Sequence, residues 1–388
     1  MNKLRGTDAG RVPLTLWVGT LASTLAMVGL EWDVSWHRSI GRDTAWSPPH
    51  LLIYASAVFA GLLAMFLTAV STWPALDRFT GRSSQTQWTS SFAKLRSPLG
   101  SWVLGWGCLA LLTSVPFDNW WHQAYGLDVK ILSPPHLLFG TGLLAIELGT
   151  LLLLIAFRSR SDGLLRRKLT RLFLYDAALV IVIACLVSSD FLSRIYMHSS
   201  VFYLVAAALL VVTLVAFAEV AGNEWSATSI ACIYMLFVLL FTWGLPLFPA
   251  FPRLGPIYQP VTHMTAPEFP LLLIVPAAAI DLVRRRFRNG SRWAFSCGLG
   301  VSFLMVLLLV QWPFSTFLMS PNSRNWIFAT GSFGFDVPSG SDFFQSHFSA
   351  FDASSLALIL GLFASFCLSS GMAALGLVWA GWLSRVQR

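Results

Sequence analysis

The chain alternates long apolar runs with short polar ones. Runs long enough to cross a bilayer as helices fall at about 14–31, 49–71, 99–116, 135–157, 171–188, 200–221, 226–246, 268–283, 293–312 and 354–382, since a helix needs roughly 20 apolar residues to span the hydrocarbon. The eighth run is short, and the tenth is longer than a membrane requires. No stretch alternates with the period of a barrel strand, and an open sheet edge cannot stand in lipid. The pattern predicts an all-α, polytopic transmembrane helical bundle of about ten helices.

Composition excludes the main alternative for a chain of 388 residues, a pair of soluble domains: 56% of the residues are hydrophobic, 11% are charged and the mean hydropathy is +0.67. The net charge of +8 invites a nucleic-acid reading, but its distribution removes it. With the N-terminus cytoplasmic, 20 of the 26 Lys and Arg fall on the inner side, within 1–11, 72–98, 158–171, 284–292 and 385–388. That is the positive-inside pattern of a multi-pass protein of the cell membrane with both termini cytoplasmic. The expected partner is therefore the lipid bilayer and not nucleic acid. The first helix is too long for a cleaved signal peptide and reads as a signal-anchor. The five cysteines are scattered through the predicted helices, have no CxxC spacing, and read as packing residues.

This topology sorts the histidines. All seven (His37, His50, His122, His136, His198, His263 and His347) fall in outer loops or at the outer ends of helices. Imidazole is the commonest protein metal ligand, so the outer face is where chemistry is to be sought.

Two segments of that face repeat each other. DVSWHRSIGRDTAWSPPHLL (33–52) and DNWWHQAYGLDVKILSPPHLL (118–138) share, with one gap, Asp33/Asp118, Trp36/Trp121, His37/His122, Gly41/Gly126, Asp43/Asp128, Ser47/Ser133, two prolines, His50/His136 and two leucines. Each joins an ascending helix to a descending one, so a helix hairpin is duplicated, over about 14–71 and 99–157. Asp33 and His37 stand at i and i+4 and share a helix face. Ser47-Pro48-Pro49 is a helix start, serine at the N-cap and proline where no intrahelical donor is needed. His50 then lies in the first turn of the second helix, whose positive end disfavours an imidazolium there.

The hairpin thus brings Asp33, His37 and His50 together, and its copy brings together Asp118, His122 and His136. Two imidazoles and a carboxylate suit copper, zinc or ferrous iron. Asp43 and Asp128 are candidates to orient a ring N–H behind the ligands. The plain alternative is an i,i+4 ion pair beside a capped helix. The neighbouring tryptophans 32, 36, 46, 120 and 121 are ordinary at a membrane interface.

The spacing Asp33-x3-His37-x12-His50 resembles the copper-binding Asp-x3-His-x12-His motif in the C subunit of the particulate methane and ammonia monooxygenases. Asp118-x3-His122-x13-His136 is similar to the second motif of that subunit, Asn-x3-His-x13-His. The likeness covers about residues 20–150. It departs at Asp118, where the family pattern has Asn (Asn119 is adjacent), in the last four predicted helices, which have no counterpart, and in the lack of a soluble cupredoxin domain. The resemblance implies copper as the cofactor, outward-facing copper sites, and oxygen-dependent hydroxylation of a small apolar or ammonia-like substrate by an oxidoreductase or its subunit. Partner membrane subunits and a soluble electron or copper donor would belong to such a system. Rival readings are outer-face copper capture or delivery, and an assembly protein whose Asp–His pairs only lock helices.

The chain accordingly divides into a duplicated metal-site region, 1–157, and additional helices, 158–388, with outer lid loops at 247–268 and 313–353. In the first lid His263 and Met264 offer an imidazole and a thioether, a pair suited to cuprous copper, with Glu268 nearby. The second carries Asp336, Asp342, His347 and Asp352 and reads as an ordered or partner-docking surface. Glu147 falls near mid-membrane, where an ionisable group is costly and functional by default, and is a candidate proton relay toward the second site. Asp176 and Asp281 are expected near cytoplasmic helix ends, where charge is ordinary.

Overall fold

The computed structural model describes residues 10–41, 44–73, 76, 89–92, 94–126, 133–252, 261–288, 290–331 and 346–386. Among them, nine helices are long and apolar enough to cross a membrane. These are α1 (Leu14–Ser39), α2 (Pro48–Thr72), α3 (Leu99–Tyr125), α4 (Pro134–Arg158), α5 (Gly163–Val187) and α6 (Ser200–Ala221), followed by α7 (Ser226–Gly244, extended by a 3₁₀ turn Leu245–Leu247). A shorter α8 (Ile274–Phe287) precedes the last two, α9 (Arg292–Leu318) and α10 (Ser355–Leu383). The only sheet among the described residues is a two-stranded hairpin before α3, β1 (Ser90–Phe92) against β2 (Leu95–Ser97). The protein is an all-α helical bundle of the polytopic membrane type.

The helices form two compact units, one of Met1–Gly29, His50–Val180 and Trp382–Arg388, the other of Leu30–Pro49 and Ile181–Gly381. In the first, small residues let backbones meet, the usual means of close helix packing where lipid removes any hydrophobic preference for protein. A Cβ added at Gly100 would lie 2.5 Å from the Gly149 carbonyl oxygen, and one at Gly107 would lie 2.9 Å from that of Gly142. These four glycines, seven residues apart on each helix, seat α3 against α4 in a single antiparallel register. Gly61 of α2 faces Cys108 of α3, and Gly19 of α1 faces Thr150 of α4.

In the second unit, Gly300 of α9 meets the Ser369 backbone of α10, whose hydroxyl donates to the Gly300 carbonyl at 2.7 Å. A closed charge network ties three further elements. Arg284 of α8 bonds Glu219 of α6 at 2.7 Å and Asp281 at 2.8 Å, and Asp281 accepts from the first-turn amides of Ala227 and Thr228 on α7. Every partner is hydrogen-bonded, the condition under which buried charge is tolerated.

Two expectations change. The eighth run does not form a helix over 268–283. Pro267 and Pro270 lack amide donors and disfavour helix before them, so the helix begins only at Ile274 and is 14 residues long. The chain ahead of it is extended and largely buried from Met264 to Leu273. Its polar backbone is satisfied by side chains: Thr265 N–H donates to Ser39 Oγ (2.7 Å), Leu271 N–H to the Tyr234 hydroxyl (3.2 Å) and Leu272 N–H to Gln311 Oε1 (3.0 Å), while Ser35 Oγ donates to the Thr265 carbonyl (2.6 Å). Buried non-helical backbone requires such partners. The second change is Asp176. The helix that carries it begins at Gly163, so Asp176 lies mid-helix and 0% exposed instead of near an end.

Candidate metal centre

The second hairpin shows how local sequence builds the site. Leu111 of α3 packs against Gly142 of α4, whose missing Cβ would meet the Leu111 amide at 2.8 Å. Asp118 is two helical turns beyond Leu111 on the same face, and His136 lies six residues from Gly142 in the same direction, so both rise about 9–10 Å above that contact. The glycine register therefore delivers the two side chains to one level. Asp118 Oδ1 is 3.6 Å from His136 Nε2, and Asp118 Oδ2 is 3.4 Å from His122 Nε2 at the expected i,i+4 spacing.

Hydrogen bonding decides which nitrogen of His122 is available. Its Nδ1 lies 3.2 Å from the Gly126 carbonyl oxygen, which can only accept, so Nδ1 carries the proton and donates. Gly126 ends α3 at φ 86, a conformation that favours glycine, and this turns its carbonyl toward the ring. In the neutral ring the Nε2 lone pair then points toward a carboxylate oxygen. Charge-assisted hydrogen bonds are about 2.7–2.9 Å long, shorter than either contact. Two ligands of a tetrahedral ion at about 2.0–2.1 Å stand about 3.3 Å apart. Both contacts exceed that length, and the carboxylate meets the two rings through different oxygens.

The first hairpin repeats the construction. Asp33 and His37 occupy the last turns of α1, with His37 Nε2 3.7 Å from Asp33 Oδ2, and Gly41 follows at φ 95 as Gly126 does in the copy. One ligand atom from each of Asp33, His37 and His50 lies within 4.8 Å of the others, a possible Asp/His/His metal-binding group. Among the described residues this is the one group of three or more His, Cys, Asp or Glu so convergent. In the second hairpin the carboxylate bridges two imidazoles through its separate oxygens. Ser133 stands at the N-cap position before Pro134 and Pro135, but its hydroxyl makes no capping bond. Proline at N2 removes one of the two amides, those of N2 and N3, that such a cap serves.

The remaining candidates go to other surroundings. Asp43 and Asp128 lie outside the described residues, as do Asp336 and Asp342. His263 is exposed and contacts the Thr262 hydroxyl at 3.0 Å, whereas Met264 is buried against Leu245, Ala250, Trp32 and Trp36, so the two neighbours do not face one another. Glu268 accepts from the Arg194 amide at 3.0 Å, and Asp352 from Ser200. His347 is exposed beside Ser346. Glu147 lies within α4 and is fully buried, eleven residues beyond His136. Asp176, expected from the sequence to be an ordinary charge at a helix end, is buried in the same unit. Compared with known proteins, the chain matches no family model, no curated protein and no solved structure.

Proposed function

We propose that this is an integral membrane copper protein whose two hairpins each hold a metal ion between one aspartate and two histidines at the outer face. The observation that carries the reading is the convergence of Asp33, His37 and His50 within 4.8 Å. The copy at Asp118, His122 and His136 supports it with ligand-like spacings. The donor set alone suits copper, zinc or ferrous iron, and the motif resemblance favours copper. Outer placement rests on charge. The α4–α5 junction carries Arg158, Arg160, Arg166, Arg167 and Lys168, and the histidines stand at the opposite end of α4.

Copper bound there would supply redox chemistry, and the chain's own residues would hold and orient it. The resemblance extends this to a monooxygenase-like oxidoreductase or its subunit, with electrons arriving from a donor and substrate from the outer leaflet. A second reading, copper capture and delivery without catalysis, is favoured by openness: the His37 and His136 side chains are 39% and 37% exposed.

The test is metal analysis of the purified, copper-loaded protein with His37→Ala and His122→Ala. Wild type is expected to hold two copper ions per chain and each variant one, with nitrogen hyperfine splitting in the cupric resonance. Equal metal content in all three proteins defeats the reading. Zinc or iron at the same stoichiometry defeats the assignment to copper alone.

A further inference from the structure

A second cluster of metal-ligating chemistry lies in the shafts of the helices, wholly within the first unit and eleven residues along α4 from His136. Glu147 of α4 and Asp176 of α5 are both 0% exposed. Each stands thirteen residues from the start of its helix, so on helices about 37 Å long both sit near the middle of the span. They are close enough to interact electrostatically, and Ser23 of α1 lies against both carboxyl groups. Ser23 Oγ donates to Thr150 Oγ1 at 3.2 Å and Thr20 Oγ1 donates to Asp176 Oδ2 at 2.9 Å. Next to them Thr24 and Tyr175 share a hydrogen bond of 3.0 Å. Among the described residues, the titratable groups facing the pair are each other and Tyr175, and no Lys, Arg or His interacts with either carboxyl.

Among the described residues, both oxygens of Glu147 and Oδ1 of Asp176 meet no hydrogen-bond donor, since the nearby Ser23 hydroxyl donates to Thr150. A helix interior that merely tolerated two acids would satisfy them with hydroxyl or amide donors. Here Thr20 donates to the fourth carboxylate oxygen, Asp176 Oδ2, and Ser23 donates to Thr150, so the other three oxygens stay without a donor and the hydroxyl oxygens present lone pairs. The result is an oxygen-only donor set, three free carboxylate oxygens and three hydroxyl oxygens, which selects a hard cation over a soft one. Two buried negative charges without a counter-ion are not sustainable at this depth. A monovalent ion with one retained proton balances them. A divalent ion would also balance them, but the cost of burying an ion grows with the square of its charge.

We propose that Glu147 and Asp176, with the hydroxyls of Thr20, Ser23 and Thr150, form a membrane-buried site for one sodium ion, bound in competition with a proton. The site is independent of the hairpin metal centres. Its elements are α1, α4 and α5, and Gly19 permits the close approach of α1 to Thr150, since a Cβ there would lie 3.2 Å from the Thr150 side chain.

The experiment uses the full chain in detergent and a hydrophobic carbodiimide, which modifies protonated carboxyls in apolar surroundings, with mass spectrometry locating the adduct. Labelling is expected at Glu147 or Asp176, rising as pH falls. Sodium chloride is expected to slow it at least tenfold, and choline chloride at equal ionic strength to leave it unchanged. Ser23→Ala should raise the sodium concentration needed for protection about tenfold, and Asp176→Asn should abolish protection of Glu147. If Asp176→Asn does not fold, the Ser23→Ala shift in wild-type-like protein still decides. Labelling indifferent to sodium at every pH, or protection by calcium in place of sodium, overturns the proposal.

Discussion

The two hairpins agree at their turns and disagree along their shafts. At the turns they share the aspartate, both histidines, the glycine at positive φ and the Ser-Pro-Pro helix start. Along the shafts, Gly100, Gly107, Gly142 and Gly149 of the second copy correspond to Thr15, Ala22, Ser56 and Leu63 of the first. Glu147 corresponds to Gly61. The copies therefore carry the same Asp/His/His residues on two different kinds of support. The second is seated by backbone contact between its own helices. The aspartate, both histidines and the turn glycine recur in the two copies where the packing residues do not, although only the first copy brings its three side chains to convergence.

The difference in support is open to direct attack. Gly142→Leu would drive a side chain into the Leu111 backbone, 2.8 Å from where its Cβ would sit. Overpacking against backbone costs about 3 kcal/mol, since neither helix can repack without separating. We expect a marked fall in thermal stability and loss of metal at Asp118, His122 and His136, with metal retained at Asp33, His37 and His50. Metal analysis alongside thermal unfolding reads both. Equal loss from the two sites would show that the hairpins do not stand on separate supports.

A smaller effect examines what they share. Gly41 and Gly126 adopt φ 95 and 86, and Gly126 has ψ −165, a region open in practice to glycine alone. Alanine at either position is expected to cost about 1–3 kcal/mol by denaturant unfolding, with similar losses in the two copies. At Gly126 the carbonyl that orients His122 Nδ1 would also move, so weaker metal binding should accompany the loss. A cost at one position and none at the other would contradict a common turn.

Much of this was legible in the sequence because its signals are local. The i,i+4 spacing places Asp33 with His37 and Asp118 with His122 on one helix face, and Ser-Pro-Pro marks each second helix. Nine of the expected spans are helices of suitable length. What was not legible depends on contacts between distant segments. The run at 268–283 is apolar enough for a helix, but Pro267 and Pro270 impose an extended entry, made tolerable by Ser39, Tyr234 and Gln311 from three other helices. Asp176 was hidden for another reason. Arg166, Arg167, Lys168 and Arg171 interrupt the apolar pattern, although they are the first turns of the same helix. Cutting the span after them moves a mid-helix acid to its end, and the partner of Glu147 disappears from view.

The smallest effect separates the hairpin histidines from a packing histidine. His198 lies outside the repeat, with its ring stacked 3.6 Å from the Phe348 centroid and 4.3 Å from that of Trp312. Its Nε2 donates to the Trp312 carbonyl at 3.0 Å, whereas His122 donates through Nδ1 and turns Nε2 toward a carboxylate. Burial against the aromatic rings lowers the His198 pKa below the usual histidine value, partly offset by the carbonyl bond. A base whose folded pKa is depressed adds stability above its unfolded pKa, about 6.5, and loses that contribution as pH falls toward and through the folded value. His198→Phe keeps the stack and removes the titration. Between pH 7.5 and 5 the melting temperature of the wild type should fall slightly more steeply than that of His198→Phe. The hairpin histidines contribute equally to both proteins, so the difference isolates this one side chain. Identical slopes would place His198 with the solvent-exposed histidines and leave its stacking without energetic consequence.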